Sequence, residues 1–174
     1  MGKVQGTDNF LKTQIALTAP LYEVGQDPRK ITVAKKGGDF SSISASVAYI
    51  TDSTENNRYI IEVGPGQYTE NVIDLTGKPY VSIVGSNIQT TEIFPSQSNH
   101  PIIKMGINNE ISFLTLRNAG SNQAAIYVDD IGDFAQVHKI SIYDSDIGVY
   151  VNASTTDTQF YGEYIDINGT FSYG

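Results

Sequence analysis

The chain has no cysteine and no tryptophan, only two histidines, and 11 lysines and arginines against 19 aspartates and glutamates. Without cysteine, neither a disulfide framework nor a thiolate metal site can form. A formal net charge of −8 argues against nucleic acid as a partner, because phosphate neutralisation needs clustered Lys and Arg. The same charge is unsuited to an anionic membrane surface. No apolar run approaches the ~20 residues of a membrane span. The opening Met1-Gly2-Lys3-Val4-Gln5-Gly6 also lacks the apolar stretch of a secretory signal. His100 precedes Pro101 in an expected turn, and His138 stands alone in the sequence. Neither lies in a metal-ligand spacing, so no metal and no cofactor is expected. Gly64-Pro65-Gly66 has no following Lys-Ser/Thr and reads as a turn, not a phosphate loop.

Helical signal is equally scarce. Ser41 or Ser42 can cap a helix whose apolar positions are Ile43, Val47 and Ile50, with Phe40 stapled on its first turn. Nearly everything after Arg58 is a train of short strands: Tyr59 to Val63, Asn71 to Leu75, Tyr80 to Val84, Glu92 to Phe94, Ile102 to Met105 and Ile111 to Leu116. Ala125 to Val128, Val137 to Tyr143, Gly148 to Val151 and Tyr164 to Ile167 continue it. Strands recurring every ~10 residues fit a sandwich, a barrel or a solenoid. The one Asn-Gly hairpin signal, Asn168-Gly169, comes at the very end, against a meander of hairpins. A longer repeat aligns Ile111-Ser112-Phe113-Leu114 with Ile140-Ser141-Ile142-Tyr143 and Ile165-Asp166-Ile167-Asn168. A period of ~25–30 residues is that of stacked solenoid turns, each too small to bury its own apolar side chains. Asn118, Asn152 and Asn168 follow strands and are expected to turn the chain between faces. The helix is expected to lie as a lid over the first turn. The expected organisation is a leader over residues 1–28, with weak periodicity around Leu11, Ile15 and Leu17, followed by one β-domain over residues 29–174.

Several stretches in order resemble the pectin methylesterases. Gly37-Gly38-Asp39-Phe40-Ser41-Ser42-Ile43 is similar to that family's opening before its capping helix. Ile61-Glu62-Val63-Gly64-Pro65-Gly66-Gln67-Tyr68-Thr69-Glu70-Asn71-Val72 is similar to its I-x-V-x-x-G-x-Y-x-E-x-V stretch. Lys78 to Gly85, Thr91-Glu92-Ile93, Asn122-Gln123-Ala124-Ala125-Ile126 and Gln159-Phe160-Tyr161 follow in the family's order. The resemblance covers roughly residues 31–174. It implies the pectin-lyase-like fold: an all-β, right-handed parallel β-helix with an N-terminal capping α-helix.

The family's catalytic residues do not carry over. Aligned on Tyr150-Val151, Asp146 and Ile147 stand where the family has a Gln-Asp pair whose Asp acts as general acid/base. The nucleophilic Asp has no counterpart in Gly169-Thr170-Phe171-Ser172-Tyr173-Gly174. Only Gln123 survives of the polar groups that the resemblance associates with the oxyanion, so no catalytic residue is assigned.

Asp129, Asp130, Asp133, Asp144 and Asp146 form the densest acidic region. Solvated turn carboxylates are the first reading, with a paired-carboxylate glycosidase site or Ca²⁺ binding as alternatives. Tyr127, Tyr143, Tyr150, Tyr161 and Tyr164 either pack as ordinary sheet residues or stack on sugar rings. The expected glycan-facing set is Gln123, Tyr127, Tyr143, Asp144, Asp146 and Tyr150. The expectation drawn from all this is a non-catalytic structural or adhesive module of a virion, of the bacteriophage tail-spike or tail-fibre kind. Such a module would be a homotrimer, attached to other virion proteins through residues 1–28 and facing polysaccharide. The alternative is an extracellular carbohydrate esterase or depolymerase, or its front part, since a coil ending at Phe171-Ser172-Tyr173-Gly174 leaves its last turn open.

Overall fold

The computed structural model describes residues 27–129, 134–152 and 159–169. The expected leader, through residue 26, and the 170–174 end lie outside them. The described residues form about four turns of a parallel β-solenoid, three strands to a turn. Thirteen strands and one short helix follow in chain order. They are β1 (Arg29–Val33), α1 (Ile43–Tyr49), β2 (Tyr59–Val63), β3 (Gly66–Glu70), β4 (Ile73–Asp74), β5 (Val81–Gly85), β6 (Thr91–Pro95) and β7 (Ile103–Met105). After them come β8 (Asn109–Ser112), β9 (Thr115–Arg117), β10 (Ala124–Val128), β11 (Phe134–Tyr143), β12 (Ile147–Val151) and β13 (Gln159–Asn168).

Every strand pairs in parallel with its equivalent one turn away. The first face stacks β1, β2, β5, β8 and the front of β11 and β13. The second stacks β3, β6, β9 and the back of the same two long strands. The third stacks β4, β7, β10 and β12. A turn takes 22 residues from Tyr59 to its partner Val81 and 25 from Phe134 to Gln159. Tighter and looser corners account for the difference.

The core follows from that register. Ile31, Ile61, Ile83, Ile111 and Val137 are successive partners on the first face, and all are buried. Tyr68, Ile93, Leu116 and Ile142 repeat the pattern on the second face. Ile73, Ile103 and Ile126 repeat it on the third. Each ladder is a column of apolar side chains at the ~4.8 Å strand spacing, so burial in one turn depends on the turns above and below.

α1 forms where the sequence placed it. Ser42 is its N-cap, with Oγ accepting from the Ala45 N–H, and Ile43, Ser46 and Val47 are buried. It packs on β1 to β4. Phe40, expected on the first turn, sets its ring 5.4 Å from that of Tyr49 in the last. Beneath the helix lies Glu70, 3 % exposed. Its carboxylate accepts from the Ile43 N–H at 2.8 Å, the Ser44 N–H at 3.1 Å, and the Ser42 and Ser44 hydroxyls at 2.7 Å each. One buried side chain on β3 therefore satisfies donors that a short helix leaves unpaired at its start.

Several strand boundaries differ from expectation at the corners. Ile111 to Leu116, expected as one strand, is two, because Phe113 takes φ 57° and turns the chain onto the second face. The long repeat is also shifted: Ile140 does pair with Ile165, but Ile111 pairs with Val137. β3 had no expected strand, and the stretch expected from Asn71 to Leu75 shortens to Ile73–Asp74. Asn118 turns the chain in the left-handed region (φ 58°) as expected, and Asp144 does the same one turn on, whereas Asn152 and Asn168 do not.

Candidate functional site

The third face gathers most of the sequence-predicted positions. Gln123 immediately precedes β10, and Asp146 immediately precedes β12. Ala124 pairs with Ile147, so Gln123 and Asp146 sit side by side on adjacent turns. Asp146 is exposed, and its Oδ2 accepts from the Asn122 N–H at 3.0 Å. Its carboxylate therefore fastens one corner to the next. Ile147 is half-buried at the start of its strand.

Tyr127 and Tyr150 are register partners, and their rings stack with centroids 5.5 Å apart and planes 18° from parallel. Tyr150 is 47 % exposed. Tyr127 in turn pairs with Lys104, and Lys104 with Asp74. The sheet thus carries a row running Asp74, Lys104, Tyr127, Tyr150 across four turns. Beside it, Asn152 donates from Nδ2 to Asp129 Oδ1 at 3.1 Å. Lys104 had no signal in the sequence, since only the register, 23 residues from Lys104 to Tyr127, reveals it as a neighbour of the tyrosines.

Two expected members lie elsewhere. Tyr143 is on the second face, where the Arg117 guanidinium stacks on its ring at 4.4 Å. Arg117 Nε also donates to Glu92 Oε1 at 2.9 Å, and Gln67 Nε2 donates to Glu92 Oε2 at 2.9 Å. This is a polar ladder, with Tyr143 as its apolar end. The bond from Gln67, and then Arg117 as donor and charge, hold the Glu92 carboxyl below its usual range. Asp144 is a corner residue in the left-handed region (φ 52°), with its N–H donated to the Asn168 carbonyl. Asp130 and Asp133 lie outside the described residues. Among the described residues, no group of three or more His, Asp or Glu side chains is placed to hold a metal ion.

The remaining candidates have structural partners. His100 Nδ1 lies 2.9 Å from the Pro101 carbonyl. His138 lies between Gln136 and Glu163, with Nε2 3.0 Å from Gln136 Oε1 and Nδ1 3.4 Å from Glu163 Oε2. Tyr161 packs near the His138 ring at 5.7 Å. On the first face, a shallow groove of about 440 Å³ runs past Arg58, Tyr80, Ser82, Glu110 and Gln136. The Arg58 guanidinium sits 5.1 Å over the Tyr80 ring there. None of the sequence-predicted site residues lines this groove.

No protein-family profile matches the chain. The pectinesterase of Aspergillus niger is 35% identical over 130 residues, spanning 69% of this chain and 38% of that protein. Among solved structures, pectin methylesterase PemA from Erwinia chrysanthemi superposes with a TM-score of 0.68 at 18% identity, over 83% of this chain and 51% of that one. ORF18 of Geobacillus virus E2 superposes with a TM-score of 0.51 at 13% identity, over 96% of this chain and 39% of that one. The chain therefore spans between about a third and a half of the length of these proteins. The start of the helix and the Glu70 anchor fall within stretches that carried the resemblance in the sequence, and the solenoid is the fold those structures share. The chain is similar in sequence to pectinesterases over part of their length and is built on the parallel β-solenoid seen in the pectin methylesterases.

Proposed function

We propose that the chain is a non-catalytic, polysaccharide-facing solenoid module of a virion, of the tail-spike or tail-fibre kind. The observation that carries the polysaccharide part is the stacked Tyr127–Tyr150 pair on the third face, next to Lys104 in register. Flat aromatic surface beside hydrogen-bonding groups suits pyranose rings, which offer C–H faces and peripheral hydroxyls. The absence of turnover is supported by Ile147 at the start of β12, where the resemblance places an acid/base aspartate, and by Asp146 being bonded to Asn122. The virion setting is supported by the fold likeness to the virus protein, which extends over 96% of the chain. Residues 1–28 would serve as the attachment segment, and the assembly would be a homotrimer in contact with other virion proteins.

The test is paired. Titrimetric methyl-ester release from pectin is expected to stay at the no-protein rate, while affinity electrophoresis in polysaccharide gels is expected to retard the protein. Light scattering is expected to give three chains per particle, and a stable monomer counts against the spike. The second reading is an extracellular esterase of the pectin methylesterase type, favoured by the 35% identity to the Aspergillus niger enzyme. Ester release above background establishes it and removes the first.

A further inference from the structure

Among the described residues, eight non-glycine positions take a left-handed backbone: Tyr80, Asn108, Phe113, Asn118, Asn122, Lys139, Asp144 and Tyr164. Four are Asn or Asp, which adopt that conformation readily, but a bulky side chain there is strained. Three of the four bulky ones share one corner. Ser112 pairs with His138 and His138 with Glu163, so Phe113, Lys139 and Tyr164 follow one another on successive turns between the first and second faces. At the corner between the second and third faces, the equivalent work is done by Asn118 and Asp144.

The side chains at this strained corner project outwards. Phe113 is 39 % exposed and Tyr164 73 %. Lys139 is also exposed and holds its ammonium 5.2 Å over the Phe113 ring. The backbone beneath is closely built: the Phe113 N–H is donated to the Lys139 carbonyl at 3.1 Å, and a Cβ on Gly85 would lie 2.2 Å from the Phe113 carbonyl oxygen. An Asn at each position would make the same turn with less strain. Phe, Lys and Tyr instead set two exposed rings and an ammonium group in a line outside the coil. Strained residues held by well-bonded surroundings are a mark of ligand-contacting positions.

We propose that Phe113, Lys139 and Tyr164 form a second polysaccharide-binding ridge, parallel to the solenoid axis and separate from the tyrosine pair on the third face. This rests on the reading of the coil as polysaccharide-facing. The occupant follows from the spacing. Successive corners are ~4.8 Å apart, close to the advance per ring of an extended pyranose chain. Sugar rings can then lie on Phe113 and Tyr164, two turns apart, while the Lys139 ammonium donates to hydroxyl or acid oxygens of the ring between. A linear glycan running along the axis matches this ridge ring for turn.

The test uses the full 174-residue chain in affinity gels containing polygalacturonate, a neutral β-glucan or a bacterial capsular polysaccharide. Variants are Lys139→Asn, Tyr164→Asn and their double, beside Tyr127→Ala/Tyr150→Ala. The ridge variants are expected to weaken retardation at least about fivefold in the gel that retards the parent, the loss of roughly one aromatic or charged contact. They are also expected to raise Tm by about 2–4 °C per site, because Asn relieves the left-handed strain. Unchanged retardation of the ridge double variant, with loss in Tyr127→Ala/Tyr150→Ala, overturns the ridge and leaves the tyrosine pair standing. A lowered Tm in the ridge variants overturns it as well, since the side chains then serve packing. No retardation of the parent in any gel overturns the ridge together with the reading beneath it.

Discussion

Glu70 shows how much one residue can organise. It is buried, charged, and bonded to two N–H groups and two hydroxyls at the start of α1. Replacing it with Gln keeps the size but turns an amide NH₂ towards donors. Glu70→Gln is expected to cost about 2–4 kcal/mol, measured by urea unfolding, because buried donors lose their acceptor. Asn109 plays a similar part at 1 % exposure, accepting from the Gly106 N–H and donating to the Lys78 and Val81 carbonyls. Neither role was legible in the chain. Glu70 stood out only within a stretch resembling a family, and Asn109 not at all, because Glu70 and the donating side of Asn109 act across turns 25 or more residues apart. The helix cap at Ser42 was legible, since its partner Ala45 is three residues away.

At the scale of elements, the ladders carry both the stability and its pH dependence. Ile83 sits between Ile61 and Ile111, fully buried. Ile83→Ala is expected to destabilise by about 2–5 kcal/mol in chemical denaturation, because a stacked column cannot collapse into the gap without moving two turns. On the second face, Gln67 and Arg117 hold the Glu92 carboxyl below its usual range. The folded state then releases that proton more readily than the unfolded chain. The contribution is complete above the unfolded value, near pH ~4.3, and is lost as the pH falls through the lower folded one. Thermal unfolding followed from pH 6 to 3 is expected to show a smaller loss of Tm for Glu92→Gln than for the parent. Equal losses would remove Glu92 from the account. Strand existence was readable from β-branched runs, but the corners were not. Phe113 and Lys139 interrupt runs that look continuous, since bulky residues give no warning of a left-handed turn. Corner errors then shifted the apparent repeat, which is why Ile111 was matched to Ile140 instead of Val137.

For the molecule as a whole, stacked turns put on one face residues that lie far apart in the chain. Asp74, Lys104, Tyr127 and Tyr150 form one row although 76 residues separate the first from the last. Four of the six expected positions, Gln123, Tyr127, Asp146 and Tyr150, share the third face, whereas Tyr143 faces Arg117 on the second and Asp144 turns a corner. A run of nearby carboxylates and tyrosines in sequence says little about facing, because a solenoid distributes neighbours over three sheets. The central claim is that this chain binds polysaccharide on the tyrosine face without hydrolysing esters. One measurement tests it most directly: isothermal titration of pectin and capsular oligosaccharides into the parent and Tyr127→Ala/Tyr150→Ala, with methanol release followed in the same samples. The account predicts saturable binding by the parent, at least about tenfold weaker binding by the double variant, and no methanol from either. Methanol release by the parent, or equal binding by the two proteins, would contradict it.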